Sequence, residues 1–85
     1  MRGTGPVGWG GIFVYAYFTV SGGVTRVRVS LDEADRLGAL EGLRVRLVLP
    51  GTEVTDSLIV RVRPEPPFAW IELTSLAPSS VNRAG

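Results

Sequence analysis

The sequence predicts an all-β domain with one short helix: a small five-stranded antiparallel barrel or curled sheet in the order β-β-α-β-β-β. Three observations predict it. Apolar and polar residues alternate over short stretches, as at Leu43, Val45, Leu47 and Leu49, which is the pattern of a strand with one buried face. Glycine and proline clusters separate these stretches at turn-sized intervals. The triplet Arg-Val-Arg occurs at 26–28, 44–46 and 61–63, and in a strand it sets two arginines on one face and a valine on the other.

The first strand is expected over Ile12 to Val20. Gly22-Gly23 follows, a pair suited to a two-residue hairpin loop with positive φ angles. The second strand, Val24 to Leu31, then has a defined register. Thr19 faces Arg26, Tyr17 faces Arg28 and Tyr15 faces Ser30, while Phe18, Ala16 and Val14 face Val27, Val29 and Leu31. One side of the hairpin is apolar at every pair, and a slip of one residue would mix the two sides. Ser30 and Glu33 have the spacing of a capping box, and Asp32, Glu33 and Asp35 suit the first turn of a helix. Gly38 and Gly42 stop that helix, which is expected to pack Ala34, Leu37 and Leu40 on the sheet. A third strand is expected at Leu43 to Leu49, a fourth at Leu58 to Arg63 and a fifth at Phe68 to Thr74. Pro64 to Pro67 reads as the loop between the last two, so that Arg61 faces Trp70 and Ile59 faces Glu72 on the outside. Residues 1–11 read as a glycine-rich flexible arm, residues 12–76 as the single barrel-like domain, and residues 77–85 as a polar tail. The whole is comparable in size to an OB or SH3 barrel.

With 85 residues the chain holds one domain with a thin core, for which oligomerisation would help stability. It has no cysteine and no histidine, which removes disulfides, thiolate metal sites and the usual general acid or base near neutral pH. Without lysine as well, nothing of the usual kind activates a nucleophile, so neither an enzyme nor a cofactor is expected. Net charge is +1, so attraction for a polyanion must come from where charges lie and not from their sum. No apolar run reaches the roughly 20 residues of a membrane helix. The start of the chain lacks the charged-then-apolar order of a secretory signal, and a cytoplasmic location is expected.

Six of the nine arginines fall in the three triplets. If those strands share a sheet, Arg26, Arg28, Arg44, Arg46, Arg61 and Arg63 make a basic face, joined by Tyr15, Tyr17 and Trp70. Arginines pair with phosphates and aromatic rings stack on unpaired bases, so the leading expectation is a module that binds single-stranded nucleic acid or another polyanion. The plainer account is a solvated sheet face whose arginines form cation–π pairs, Tyr17 with Arg28 and Arg61 with Trp70. All basic residues here are arginine, as in chains of GC-rich codon usage, which favours the plainer account. A further alternative is a structural protein that forms homo-oligomers through Tyr15, Tyr17, Ile59 and Trp70, since aromatic residues and arginine are enriched at interfaces. A third is that the arm, through Trp9, covers part of that face.

Two other patterns carry less. Gly3-Thr4-Gly5-Pro6-Val7-Gly8 matches G-x-G-x-x-G, but no strand is expected before it and no helix after it to receive a phosphate. Asp32, Glu33 and Asp35 are accounted for by the helix start and need no metal. Residues 43–76 look somewhat like the last strands of PilZ domains, and the stretch beginning at Ser30 resembles the strand–helix–glycine–strand unit of AbrB-type proteins. The cyclic-dinucleotide motifs of the former, R-x-x-x-R and D/N-x-S-x-x-G, are missing, and no family is assigned.

Overall fold

The computed structural model describes residues 1–76; the expected tail at 77–85 lies outside the described residues. Six strands and one helix follow in the order β1 (Arg2–Trp9), β2 (Ile12–Ser21), β3 (Val24–Ser30), α1 (Leu31–Arg36), β4 (Arg44–Val48), β5 (Thr55–Glu65) and β6 (Phe68–Ser75). They form a closed antiparallel barrel in the order β1-β2-β3-β6-β5-β4, with β4 returning to β1. The predicted barrel is therefore present, with six strands in place of five. Among the described residues no helix is long and apolar enough to cross a membrane.

The sixth strand is the segment read as a flexible arm. Arg2 to Trp9 pair with Thr19 to Ile12 along their whole length, and Val7 and Trp9 point into the core. Trp9 is thus part of the interior and not a cover for the outer face. Small residues suit this strand because large neighbours occupy the space. A Cβ on inward-facing Gly3 would meet the Phe18 ring at 3.3 Å, and one on Gly5 would meet Pro50 Cγ at 3.0 Å. The G-x-G-x-x-G pattern is a strand, not a phosphate loop. Gly10-Gly11 turns β1 into β2, as Gly22-Gly23 turns β2 into β3; all four have positive φ, as two-residue hairpin loops of the primed type require.

The β2–β3 register is the one predicted, with Thr19 opposite Arg26, Phe18 opposite Val27 and Tyr17 opposite Arg28. The ladder ends at Tyr17–Arg28, so Tyr15, Ala16 and Val14 have β1 as their neighbour and not Ser30, Val29 and Leu31.

The β5–β6 register differs from expectation. The loop is Pro66-Pro67 alone, and Pro64 and Glu65 belong to β5, opposite Ala69 and Phe68. Beyond Ile59 no described residue of β4 pairs with β5, and an edge tolerates proline, which lacks a ladder donor. The shorter loop moves the pairing by two residues, so Arg61 faces Glu72 and Arg63 faces Trp70. A bulge at Val60 then reverses the alternation: Ile59 points into the core and Val60 is exposed. Bulges of this kind bend and twist a strand, as barrel closure demands.

The core collects Val14, Ala16 and Phe18 from β2, Val27 and Val29 from β3, Leu47 from β4, Ile59 from β5, and Ala69, Ile71 and Leu73 from β6. Helix α1 starts as predicted, with Ser30 Oγ accepting from Glu33 N at 3.0 Å. The carboxylate of Glu33 pairs with Arg36 instead of returning to Ser30. Ala34 and Ala39 are buried beside partly buried Leu37, whereas Leu40 is 64% exposed and does not pack as expected.

Candidate functional site

The strand registers build the outer face row by row. Across β1, β2, β3, β6 and β5, one row reads Thr4, Tyr17, Arg28, Trp70, Arg63. The next reads Arg2, Thr19, Arg26, Glu72, Arg61. Residues two apart on a strand share a face, so both rows lie on the outside, where Arg63 and Arg61 are exposed and Tyr17, Arg28 and Trp70 half-buried. Hairpin β2–β3 supplies the tyrosine and two arginines, and hairpin β5–β6 supplies the tryptophan, the carboxylate and two more arginines.

In the first row Arg28 lies among three rings. Its guanidinium carbon is 4.7 Å from the Phe68 centroid, 5.2 Å from Tyr17 and 5.9 Å from Trp70. Tyr17 meets Trp70 edge to face, with centroids 6.1 Å apart and planes at 84°. The predicted Tyr17–Arg28 pair is present; the ring expected on Arg61 has Arg28 over it and Arg63 as its cross-strand neighbour.

In the second row Glu72 sits between two arginines. Arg26 Nε donates to Glu72 Oε2 at 3.1 Å, and Arg61 Nε stands 3.9 Å from Glu72 Oε1. The Glu72 side chain is 14% exposed, and those of Arg26 and Arg61 are 45% and 57% exposed. Arg63 approaches Glu65 at 4.0 Å. Beside Trp70 the two rows leave a shallow hollow of about 160 Å³, lined by Thr19, Arg26, Arg63, Glu65, Trp70 and Glu72.

The six triplet arginines share the outside of one closed sheet but not one spot. Arg26, Arg28, Arg61 and Arg63 surround Trp70 and Glu72. Arg44 stands opposite Leu58 on the far side of β5, three residues along from Arg61, or about 10 Å at the rise of a strand. Arg46 lies further still and pairs with Asp56 at 3.7 Å. Tyr15 is 76% exposed beyond the first row, next to Phe13 at 69%. Phe13 and Val48 close over Gly8 between them. Ile59, expected beside these rings as part of a subunit contact, is 1% exposed in the core and cannot serve there.

Glu72 and Phe68 complete the cluster and were not singled out by sequence reasoning. The signal that would have found them is the proline pair: a two-residue turn at Pro66-Pro67 sets Glu72 between Arg26 and Arg61. Among the described residues no group of three or more His, Cys, Asp or Glu side chains comes together to hold a metal ion. A second hollow, about 210 Å³, opens at the barrel mouth, where Val20, Leu47 and Leu49 meet the hydroxyls of Thr25, Thr55 and Ser57. No family model, curated protein or solved structure matches this chain, so its functional reading rests on these side chains.

Proposed function

We propose that this protein is a non-catalytic module that binds single-stranded nucleic acid over the outer face of β2, β3, β6 and β5. The observation that carries this is the row Tyr17, Arg28, Trp70, Arg63, which alternates rings and guanidinium groups over four neighbouring strands, with Arg26 and Arg61 in the next row. A single strand offers regularly spaced phosphates and bases with open π faces, and this alternation suits both. Arg26, Arg61 and Arg63 meet phosphates, while Tyr17 and Trp70 stack on bases. Arg28, held among rings, extends the stacking surface. Tyr15, Arg44 and Arg46 are outlying contacts for a longer strand.

The test is fluorescence anisotropy of labelled single-stranded RNA and DNA at several salt concentrations. Three phosphate contacts give a log–log slope near –2, or roughly 20-fold weaker binding between 50 and 200 mM salt. The pair Arg61→Glu and Arg63→Glu should abolish binding, and Arg44→Glu with Arg46→Glu should weaken it less. Absence of binding at low salt, or indifference to reversal of Arg61 and Arg63, overturns the reading.

A second reading is favoured by the neighbours Phe13 and Tyr15, 69% and 76% exposed on the outside of β2. Here the protein is an assembly unit that buries these two rings against a copy of itself. Its mass by light scattering should then rise with concentration and hold in high salt, since salts such as sulfate strengthen apolar burial. The mass of one chain at every concentration excludes it.

A further inference from the structure

We propose that the hollow beside Trp70 is a base-reading site selective for guanine. This rests on the nucleic-acid reading above and deepens it. The observation behind it is Glu72, a carboxylate in the middle of four arginines. A face that met phosphates alone would be weakened by an acidic group there. A face that also reads a base has a use for it.

The hollow supplies both parts of a base site. Trp70 lines the hollow and is the wall on which a ring can stack. Glu72 and Arg63 line the same space, so an acceptor and a donor stand beside the stacking face. Glu72 Oε2 already accepts from Arg26 Nε at 3.1 Å. An ionised carboxylate has about four lone-pair sites, so acceptor capacity remains. The contact with Arg26 also fixes the carboxylate's orientation.

Guanine alone among the four bases presents two adjacent donors, N1–H and the 2-amino group, which match the two oxygens of one carboxylate. Its O6 also accepts from arginine, and Arg63 at the rim of the hollow can donate to it from one guanidinium nitrogen while another keeps the phosphate. Adenine and cytosine present one amino group next to a ring nitrogen whose lone pair would face the second carboxylate oxygen. Uracil has a single N–H between two carbonyls. A matched two-point contact of this kind discriminates against a base that lacks one of the two donors.

The experiment compares labelled decamers of uridine carrying two separated guanosines, two adenosines, two cytidines or two inosines, each at about 50 and at about 200 mM salt. Inosine is guanosine without its 2-amino group. The guanine decamer should bind about 10-fold tighter than the adenine and cytosine decamers, with inosine in between. Glu72→Gln should erase the preference while oligouridine still binds, because a neutral amide adds no repulsion to the phosphates. If Glu72 were only the counter-ion of Arg26 and Arg61, the variant would lower thermal stability and leave the preference intact, and the guanine site would be lost. Equal, salt-sensitive binding of all four decamers by the unaltered protein removes the guanine site and leaves the nucleic-acid reading standing. Binding to none removes both. The guanine–inosine comparison needs no variant, so it holds even if Glu72→Gln fails to fold.

Discussion

Gly8 shows how little room single residues of this barrel have. A Cβ there would lie 3.0 Å from Val48 Cβ and 3.2 Å from the Phe13 ring. Gly8→Val is therefore expected to destabilise the protein by about 1–3 kcal/mol through overpacking, read by urea unfolding. Thr4→Val, on the exposed face of the same strand, should stay within about 0.5 kcal/mol. Arg28 is the other residue whose surroundings set its worth. It faces three rings rather than solvent, and Arg28→Ala should lower stability by about 1–2 kcal/mol from lost cation–π contact. Trp70, uncovered, should emit at longer wavelength. Arg46, whose side chain is 78% exposed in its pair with Asp56, is a solvent-screened ion pair of small effect, and Arg46→Ala should leave the melting temperature nearly unchanged. Equal losses for Arg28→Ala and Arg46→Ala would contradict the stacked environment of Arg28.

Among the elements, β5 carries the most consequential irregularity. Its bulge decides that Ile59 fills the core and Val60 faces water. Ile59→Ala should cost about 2–5 kcal/mol, while Val60→Thr should change stability by no more than about 0.5 kcal/mol. Regular alternation with Ile59 outside would give the opposite order, so thermal unfolding of the two variants separates the registers. The same bulge lets Arg61 and Arg63 face outward beside Glu72 and Trp70, and the candidate site depends on it. Helix α1 is simpler. Its single side-chain cap, Ser30 Oγ to Glu33 N, makes Ser30→Ala a loss of about 1 kcal/mol, measurable by the same unfolding curves.

Taken whole, the barrel is closed by its shortest ladder. β1 meets β4 only at Gly8–Val48 and Trp9–Leu47, with Gly10 N donating to Arg46 O at 3.0 Å. Met1 and Val20 exchange both backbone bonds, so the backbone groups of Arg2, Thr4 and Pro6 point away from β2. Pro6 has no N–H to leave unpaired there, a common protection for an open edge. Opening should begin at this seam. Hydrogen exchange is expected to be fastest at Gly8, Gly10 and Val48 and slowest in β3 and β6, which are flanked on both sides. Uniform protection around the barrel would show the seam to be as firm as the rest. Neighbours along the chain are enough for the β class, the Gly22-Gly23 turn, the β2–β3 register and the Ser30 cap, because each rests on local chemistry. The first strand was hidden by its glycines, whose role is to admit Phe18, Pro50, Phe13 and Val48, residues 15 or more positions away apart from Phe13. The place of Glu72 between Arg26 and Arg61, and the separation of Arg44 and Arg46 from the other four triplet arginines, emerge with the folded barrel. Those outcomes follow from barrel closure, the bulge and the length of the proline turn, and they depend on how distant strands pair rather than on the period of any one strand.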